Sequence, residues 1–231
     1  LEFRRVLFRS IEGNGFTITG LTADRGLIAA ADTATIRNIK IRSCTVSNSS
    51  ANIVGGLVSY ATDRTQINNS STDCAVTGAS QAGGLVAKID GSSTIDNSFA
   101  TGAVTCASYC GGLFGYAELA TIQNSYATGA VSAKYNGGGL GGDISGSTLF
   151  RTYATGNVTE INDLSTTVQL MAGLLGGAGR NGSTVSSVSQ SYATGNVSAP
   201  NGNYVARSEE HTSELQSHHD LVCRLLLVKK N

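Results

Sequence analysis

"SYATGNVS", residues 191–198, decides the fold because the chain has already spelled it out several times. Residues 153–158 read "YATGNV", 126–131 read "YATGAV" and 99–104 read "FATGAV". Working outward, a second phrase returns with the first. Gly-Gly-Leu begins at Gly55, Gly83, Gly111 and Gly138, in steps of 28, 28 and 27 residues. A variant, "AGLL", begins at Ala172, and an earlier copy, "RGLIAA", at Arg25. A phrase returning at a fixed period of this length marks a repeat architecture.

Each copy reads as three short segments: Gly-Gly-Leu-Val, then Thr-Ile-x-Asn-Ser-Tyr as in 121–126, then Thr-Gly-Ala/Asn-Val. Short β-branched and aromatic stretches punctuated by Gly, Ser, Asp and Asn are strand signals. In register, the apolar residues fall into three columns. These are Leu27, Leu57, Leu85, Leu113, Leu140 and Leu174; Ile36, Ile67, Ile95, Ile122, Leu149 and Val188; and Val46, Val76, Val104, Val131, Val158 and Val197. One copy cannot fold alone. Ordering about 27 residues costs roughly 1–2 kcal/mol each, and burying a Leu, Ile or Val returns only about 1.5–3 kcal/mol. Stacked copies share a core and a ladder of interstrand hydrogen bonds.

The stack that fits is an all-β, right-handed parallel β-helix, a β-solenoid of about six coils, with the same strand of successive coils paired about 4.8 Å apart. A propeller blade needs about 40 residues or more, and the 3.6-residue periodicity of helical repeats is missing. In this reading Ala-Thr-Gly turns the chain, its Gly takes a backbone angle denied to other residues, and the following Val enters the core. Asn69, Asn97 and Asn124 share a column and predict an amide ladder, which Arg151 and Gln190 should interrupt in the next two copies.

The ends are set apart. One nucleotide sequence encodes "RSEEHTSELQ" (207–216) on one strand and "LEFRRVLFRS" (1–10) on the other, without a mismatch. Both ends resemble translated sequencing-adapter sequence. The expected organisation is therefore 1–10 adapter-derived, 11–206 a β-solenoid domain from a larger protein, and 207–231 adapter-derived. All three His (His211, His218 and His219) and Cys223 lie in the tail, so 11–206 holds four Cys and no His. It carries nine Lys and Arg against eleven Asp and Glu. That balance is not a nucleic-acid footprint, and no apolar run is long enough to span a bilayer.

The Gly-Gly-Leu-Val/Phe-Gly pattern, followed by Ile-x-Asn-Ser-Tyr-Ala-Thr-Gly-x-Val, resembles the GLUG-motif repeat family. "IEGNGFTITGL" (11–21) is similar to the lead-in that precedes such arrays. The resemblance implies bacterial secreted or cell-surface proteins, often adhesin-like, in which the repeats form a β-solenoid stalk, and it implies no catalytic residues. Departures are "STLFRT" (147–152) and an insertion, "EINDLSTTVQLM" (160–171), expected to form a bulging loop or an extra short strand.

Candidate sites are few. Cys44 and Cys74 each precede a column-three Val by two residues and fall within disulfide reach in adjacent coils. In-register parallel pairs rarely reach a suitable geometry, so they read as two small buried thiols. Cys106 and Cys110 frame "ASY" and are candidates for a local disulfide in an exported protein; with no His nearby they are not a metal site. Asp32, Asp63, Asp90, Glu118 and Asp143 recur in the turn after Gly-Gly-Leu and form a candidate acidic edge for Ca²⁺. Against that stands a solvated turn, where Asp is simply the favoured residue. "GGLGGD" (138–143) matches a Ca²⁺-binding repeat only once. No cofactor is expected.

The function expected is a non-catalytic stalk or adhesive segment outside the cell. Its partner would be a host or matrix glycan or protein, with no nucleic acid and no membrane insertion, and with self-association through uncapped ends. The alternative is a glycan-active β-helix enzyme, a polysaccharide lyase or hydrolase. Asp90 and Asp96 are its nearest carboxylates, with Tyr60 and Tyr116 as aromatic neighbours. Acidic and aromatic groups converging in one groove would favour the enzyme; a uniformly repeating exterior would favour the stalk. A Thr column (Thr101, Thr128, Thr155 and Thr194) is a poor version of an ice-binding lattice.

Overall fold

The computed structural model describes residues 9–161, 170–178, 185–200 and 204–206. The expectations for 1–8, for 207–231 and for most of the insertion (162–169) lie outside the described residues. Within them all regular structure is β-strand, in pieces of two to five residues. The coil that starts at Gln81 shows the plan. Its strands are Gln81–Gly83, Val86–Ile89, Thr94–Asp96, Phe99–Ala100 and Val104–Cys106. Each pairs in parallel with its counterparts in the coils before and after. The result is five parallel sheets wound as a β-solenoid, here called the first to the fifth in that order. Among the described residues they hold six, six, seven, seven and seven strands.

Five strands per coil replace the three segments expected from the sequence. Gly-Gly-Leu-Val contains a corner, so its ends belong to the first and second sheets. Thr-Ile-x-Asn-Ser-Tyr is likewise broken at its Asn: Asn69, Asn97 and Asn124 have φ of 48°, 48° and 49°. Asn38, Arg151 and Gln190 take the same left-handed angle at 58°, 51° and 49°. Asn enters this region more easily than most residues, and the bend it makes separates the third sheet from the fourth.

The three apolar columns point inward. The Leu column is 0–7% exposed. The Ile column pairs Ile36, Ile67, Ile95, Ile122, Leu149 and Val188 in register. The Val column does the same from Val46 to Val197. "STLFRT" keeps this register, with Leu149 on Ile122. The last two residues of the insertion, Leu170 and Met171, are already strand, paired with Asn136 and Gly137.

A fourth column was misread as turn. Ala100, Ala127 and Ala154, from Ala-Thr-Gly, are fully buried. They face the second Gly of Gly-Gly-Leu across a narrow interior. A Cβ on Gly84 or Gly112 would lie 2.8 Å from the Cβ of Ala100 or Ala127.

The Gly of Thr-Gly is needed, but not for its backbone angle. Positive φ among the described glycines occurs at Gly15, Gly20, Gly26, Gly91 and Gly146, none of them in this column. The reason is contact with the coil before. A Cβ on Gly102, Gly129 or Gly156 would sit 2.0, 1.9 or 1.9 Å from the carbonyl oxygen of Cys74, Gly102 or Gly129. The coils stack so closely at this corner that only hydrogen fits between them.

The corners flanking the third sheet are held by buried hydroxyls. Before it, the Thr65 and Ala120 amides donate to the Oγ of Ser93 and Ser147, each at 3.1 Å. After it, the Ser70 and Ser98 amides donate to the Oγ of Ser98 and Ser125, each at 3.1 Å. A buried N–H without a partner costs about 1–3 kcal/mol. The Ser in Asn-Ser-Tyr is therefore a structural acceptor one coil along.

Candidate functional site

Two disulfides cross-link the solenoid, one between adjacent coils and one between consecutive strands. Cys44 and Cys74 form a disulfide with Cα atoms 4.4 Å apart, which corrects the reading of two free thiols. Both sit in the corner before the fifth sheet, outside regular strand, next to the left-handed Ser43. There the chain is not bound to parallel-strand geometry. Cys106, ending a fifth-sheet strand, is joined to Cys110 in the first sheet.

The acidic residues do not form one row. Asp32 pairs with Thr62, so Asp63 lies one residue past that row, in a left-handed corner. Asp90 and Glu118 follow the paired Ile89 and Ala117 and continue the row of Asp32 and Thr62. Asp143 pairs with Tyr116, in the neighbouring row, and is 1% exposed. Among the described residues no three His, Cys, Asp or Glu come together in a way that could hold a metal ion. The amide ladder is shorter than expected at one end and longer at the other. Asn97 donates to Asn69 and Asn69 to Asn38, but Asn124 turns aside to Asp96 at 2.8 Å, one coil before Arg151.

The outer face of the second sheet gathers chemistry. One row runs Tyr60, Lys88, Tyr116, Asp143, in register. The Tyr60 hydroxyl donates to Asp90 at 2.7 Å, and the Lys88 ammonium lies 3.1 Å from the same carboxylate. The Lys88 Nζ also stands 4.9 Å from the centre of the Tyr60 ring. Burial pushes the Asp90 carboxyl up, but hydrogen bonds from Thr62, Tyr60 and Lys88 together with the lysine's charge outweigh it, so the group sits below its ordinary value. Burial pulls Lys88 down, and Asp90 and its neighbours overcome that and hold it above its ordinary value. Burial, then the charges of Glu118 and Asp143, raise the Tyr116 hydroxyl. Tyr109, from the first sheet, leans on Tyr116 with ring centres 5.6 Å apart and planes at 52°.

The first and second sheets come together here because small residues line the angle between them. A Cβ on Gly115 would lie 2.8 Å from the Tyr109 carbonyl oxygen, and one on Gly142 2.7 Å from the Cys110 nitrogen. Tyr60, Tyr116 and the carboxylates were visible in the sequence, but Lys88 and Tyr109 were passed over. The signal that could have found them is the register itself, which sets Lys88 between two Tyr.

The outer face of the fourth sheet is different. Phe99, Tyr126, Tyr153 and Tyr192 stack with centres 4.8, 4.7 and 5.3 Å apart and planes within 9°. Each inner ring presents its faces to its neighbours. Arg42 covers the free face of Phe99, 5.8 Å from its centre.

Residues 78–105 match the family model of the GLUG motif. That stretch is a GLUG repeat. It begins at the last residue of one fifth-sheet strand, Gly78, and ends inside the next, at Thr105, so one GLUG repeat is one complete turn of the solenoid. The coils on either side carry the same columns in the same register. A search of the curated proteins finds no match to the chain.

Proposed function

We propose that this GLUG solenoid is a non-catalytic structural segment of a bacterial secreted or cell-surface protein, serving as a stalk and as a support for binding. The observation that carries the reading is the in-register repetition of whole coils, which builds length. Two disulfides support a place outside the cytosol, since such bonds persist in oxidising compartments. The test is a thiol count with an alkylating reagent, after denaturation without reductant, on the chain made with and without an export signal. No free thiol among Cys44, Cys74, Cys106 and Cys110 in the exported form, with folding lost in the cytosolic form, supports the reading. Four free thiols in a fully folded exported chain would remove it.

A second reading, a glycan-active enzyme, draws on the Tyr60, Tyr109, Tyr116, Asp90 and Glu118 cluster. Glycoside hydrolysis needs one carboxyl kept protonated beside one that is ionised. Asp90 is held on the ionised side by three hydrogen bonds, which suits a structural anchor better than a proton donor. Release of new reducing ends or unsaturated products from a panel of polysaccharides, abolished by Asp90→Asn, would favour the enzyme.

A further inference from the structure

The second sheet holds one cage that the chain fills for itself. The Lys88 ammonium rests on the face of Tyr60 and against the Asp90 carboxylate, at 4.9 and 3.1 Å. An aromatic face beside a carboxylate is a general way to hold an alkylammonium group, through the ring quadrupole and the opposite charge. Here the protein shows that its own surface does so.

The next rung sets a ring and a carboxylate side by side on one strand, whereas Tyr60 stands one rung before Asp90. Tyr116 follows Lys88 in register, and Glu118 takes the place of Asp90. Tyr109 adds a second ring, inclined at 52° to the first, so two aromatic walls meet at an angle. On the rung after, Asp143 and Ser145 stand where a lysine and a carboxylate would repeat the first cage. Glu118 is half-buried and makes no hydrogen bond or ion pair within 4 Å among the described residues, and Lys88 acts on it through its charge alone. A partly desolvated carboxylate beside an aromatic ring is worth more to a cation than an exposed one.

We propose that Tyr109, Tyr116 and Glu118 form a binding site for an alkylammonium group supplied from outside the chain. The group is the lysine side chain of a partner protein, the chemistry that Lys88 supplies at Tyr60 and Asp90. This deepens the reading of the solenoid as a non-catalytic binding support.

The experiment is a titration of the full chain, with its tyrosine rings isotopically labelled, followed by NMR at fixed ionic strength. The probes are tetramethylammonium chloride, n-butylammonium chloride and, as a neutral isostere, 3,3-dimethylbutan-1-ol. The ring signals of Tyr109 and Tyr116 should shift saturably with the ammonium salts, with a dissociation constant on the order of 10 mM, and should not respond to the alcohol. Tighter binding of n-butylammonium than of tetramethylammonium supports a lysine side chain, and the reverse order would overturn that assignment in favour of a quaternary headgroup. Tyr116→Ala should weaken binding roughly two- to thirtyfold, the range of one cation–π contact, while Tyr116→Phe, which keeps the ring, should retain it. Lys88→Met should tighten this site, because the Lys88 charge acts on Glu118 and Tyr116, and should open a second one at Tyr60 and Asp90. Equal shifts with the alcohol, no saturation, or full binding by a folded Tyr116→Ala chain would overturn the proposal. Any of these would leave the stalk reading standing, because that reading fails on thiol state and product release instead.

Discussion

Two outer faces of one solenoid, the fourth sheet and the second, put aromatic residues to different uses. On the fourth sheet the repeat places like on like, and Tyr126 and Tyr153 use both faces on their neighbours. Among the described residues, the rings from Phe99 to Tyr153 have neighbours on both faces, which leaves a ligand their edges and hydroxyls. On the second sheet the repeat breaks, and Tyr60, Lys88, Tyr116 and Asp143 follow one another. Unlike neighbours satisfy one another only in part, and the remainder is chemistry. In a repeat protein, repetition stabilises and its interruption creates sites.

The largest expected effect lies beneath both faces. Gly129→Ala puts a Cβ 1.9 Å from the Gly102 carbonyl oxygen, so the coils must separate. The loss of stability should be about 4 kcal/mol or more, at the extreme of single substitutions, and denaturant unfolding measures it. If Ala is accepted without loss, the frame shared by the two faces is softer than the contacts indicate. Next is removal of the coil-to-coil tie. Replacing Cys44 and Cys74 together by Ser opens a loop with a sequence separation of 30 residues. The chain-entropy argument gives a loss of about 3–4 kcal/mol, readable as a lower Tm.

The comparison itself is put to the test by two matched truncations. Tyr126→Ala removes two stacked contacts and should cost about 2–3 kcal/mol, whereas Tyr116→Ala, with one tilted neighbour, should cost about 1 kcal/mol. Equal costs would mean that stacking adds nothing to the fourth sheet. The smallest effect is in pH dependence. Asp90 has a folded-state pKa below its ordinary value, so its contribution is present above the ordinary value, about 3.9, and is lost as pH falls through the folded one. The Tm advantage of the parent chain over Asp90→Asn should therefore hold at pH 6 and shrink below about pH 4. An unchanged gap down to pH 2 would show that the Tyr60, Lys88 and Asp90 network does not depend on the charge.

The core was legible because inward residues are chosen by one repeated environment: Leu, Ile and Val recur at a fixed step and fall on one another. The strand count was not, because a left-handed Asn at position 97 looks in sequence like any polar residue within a strand. The Thr-Gly glycine was recognised as necessary for the wrong reason. Sequence signals that a side chain is forbidden, but only stacking shows that the obstacle is the carbonyl of the previous coil. Ser98 and Ser125 looked like polar residues within a strand segment, since an acceptor serving an amide 27 or 28 positions away leaves no local trace. At the candidate site the carboxylates stood out by recurrence, but Lys88 occurs once in its row and Tyr109 has only Gln81 and Asn136 as its row neighbours. Singular residues become visible only when register brings them together.

The bond between Cys44 and Cys74 matters most if the solenoid is ever pulled from its ends. A force that unwinds the array would enter at Cys44 and leave at Cys74 through the sulfur atoms, bypassing the backbone between them. With a sequence separation of 30 residues, roughly 100 Å of extensible chain stays out of reach until the bond is reduced. Reductant would then change how far the molecule stretches, and a pulling trace would record it as added contour length.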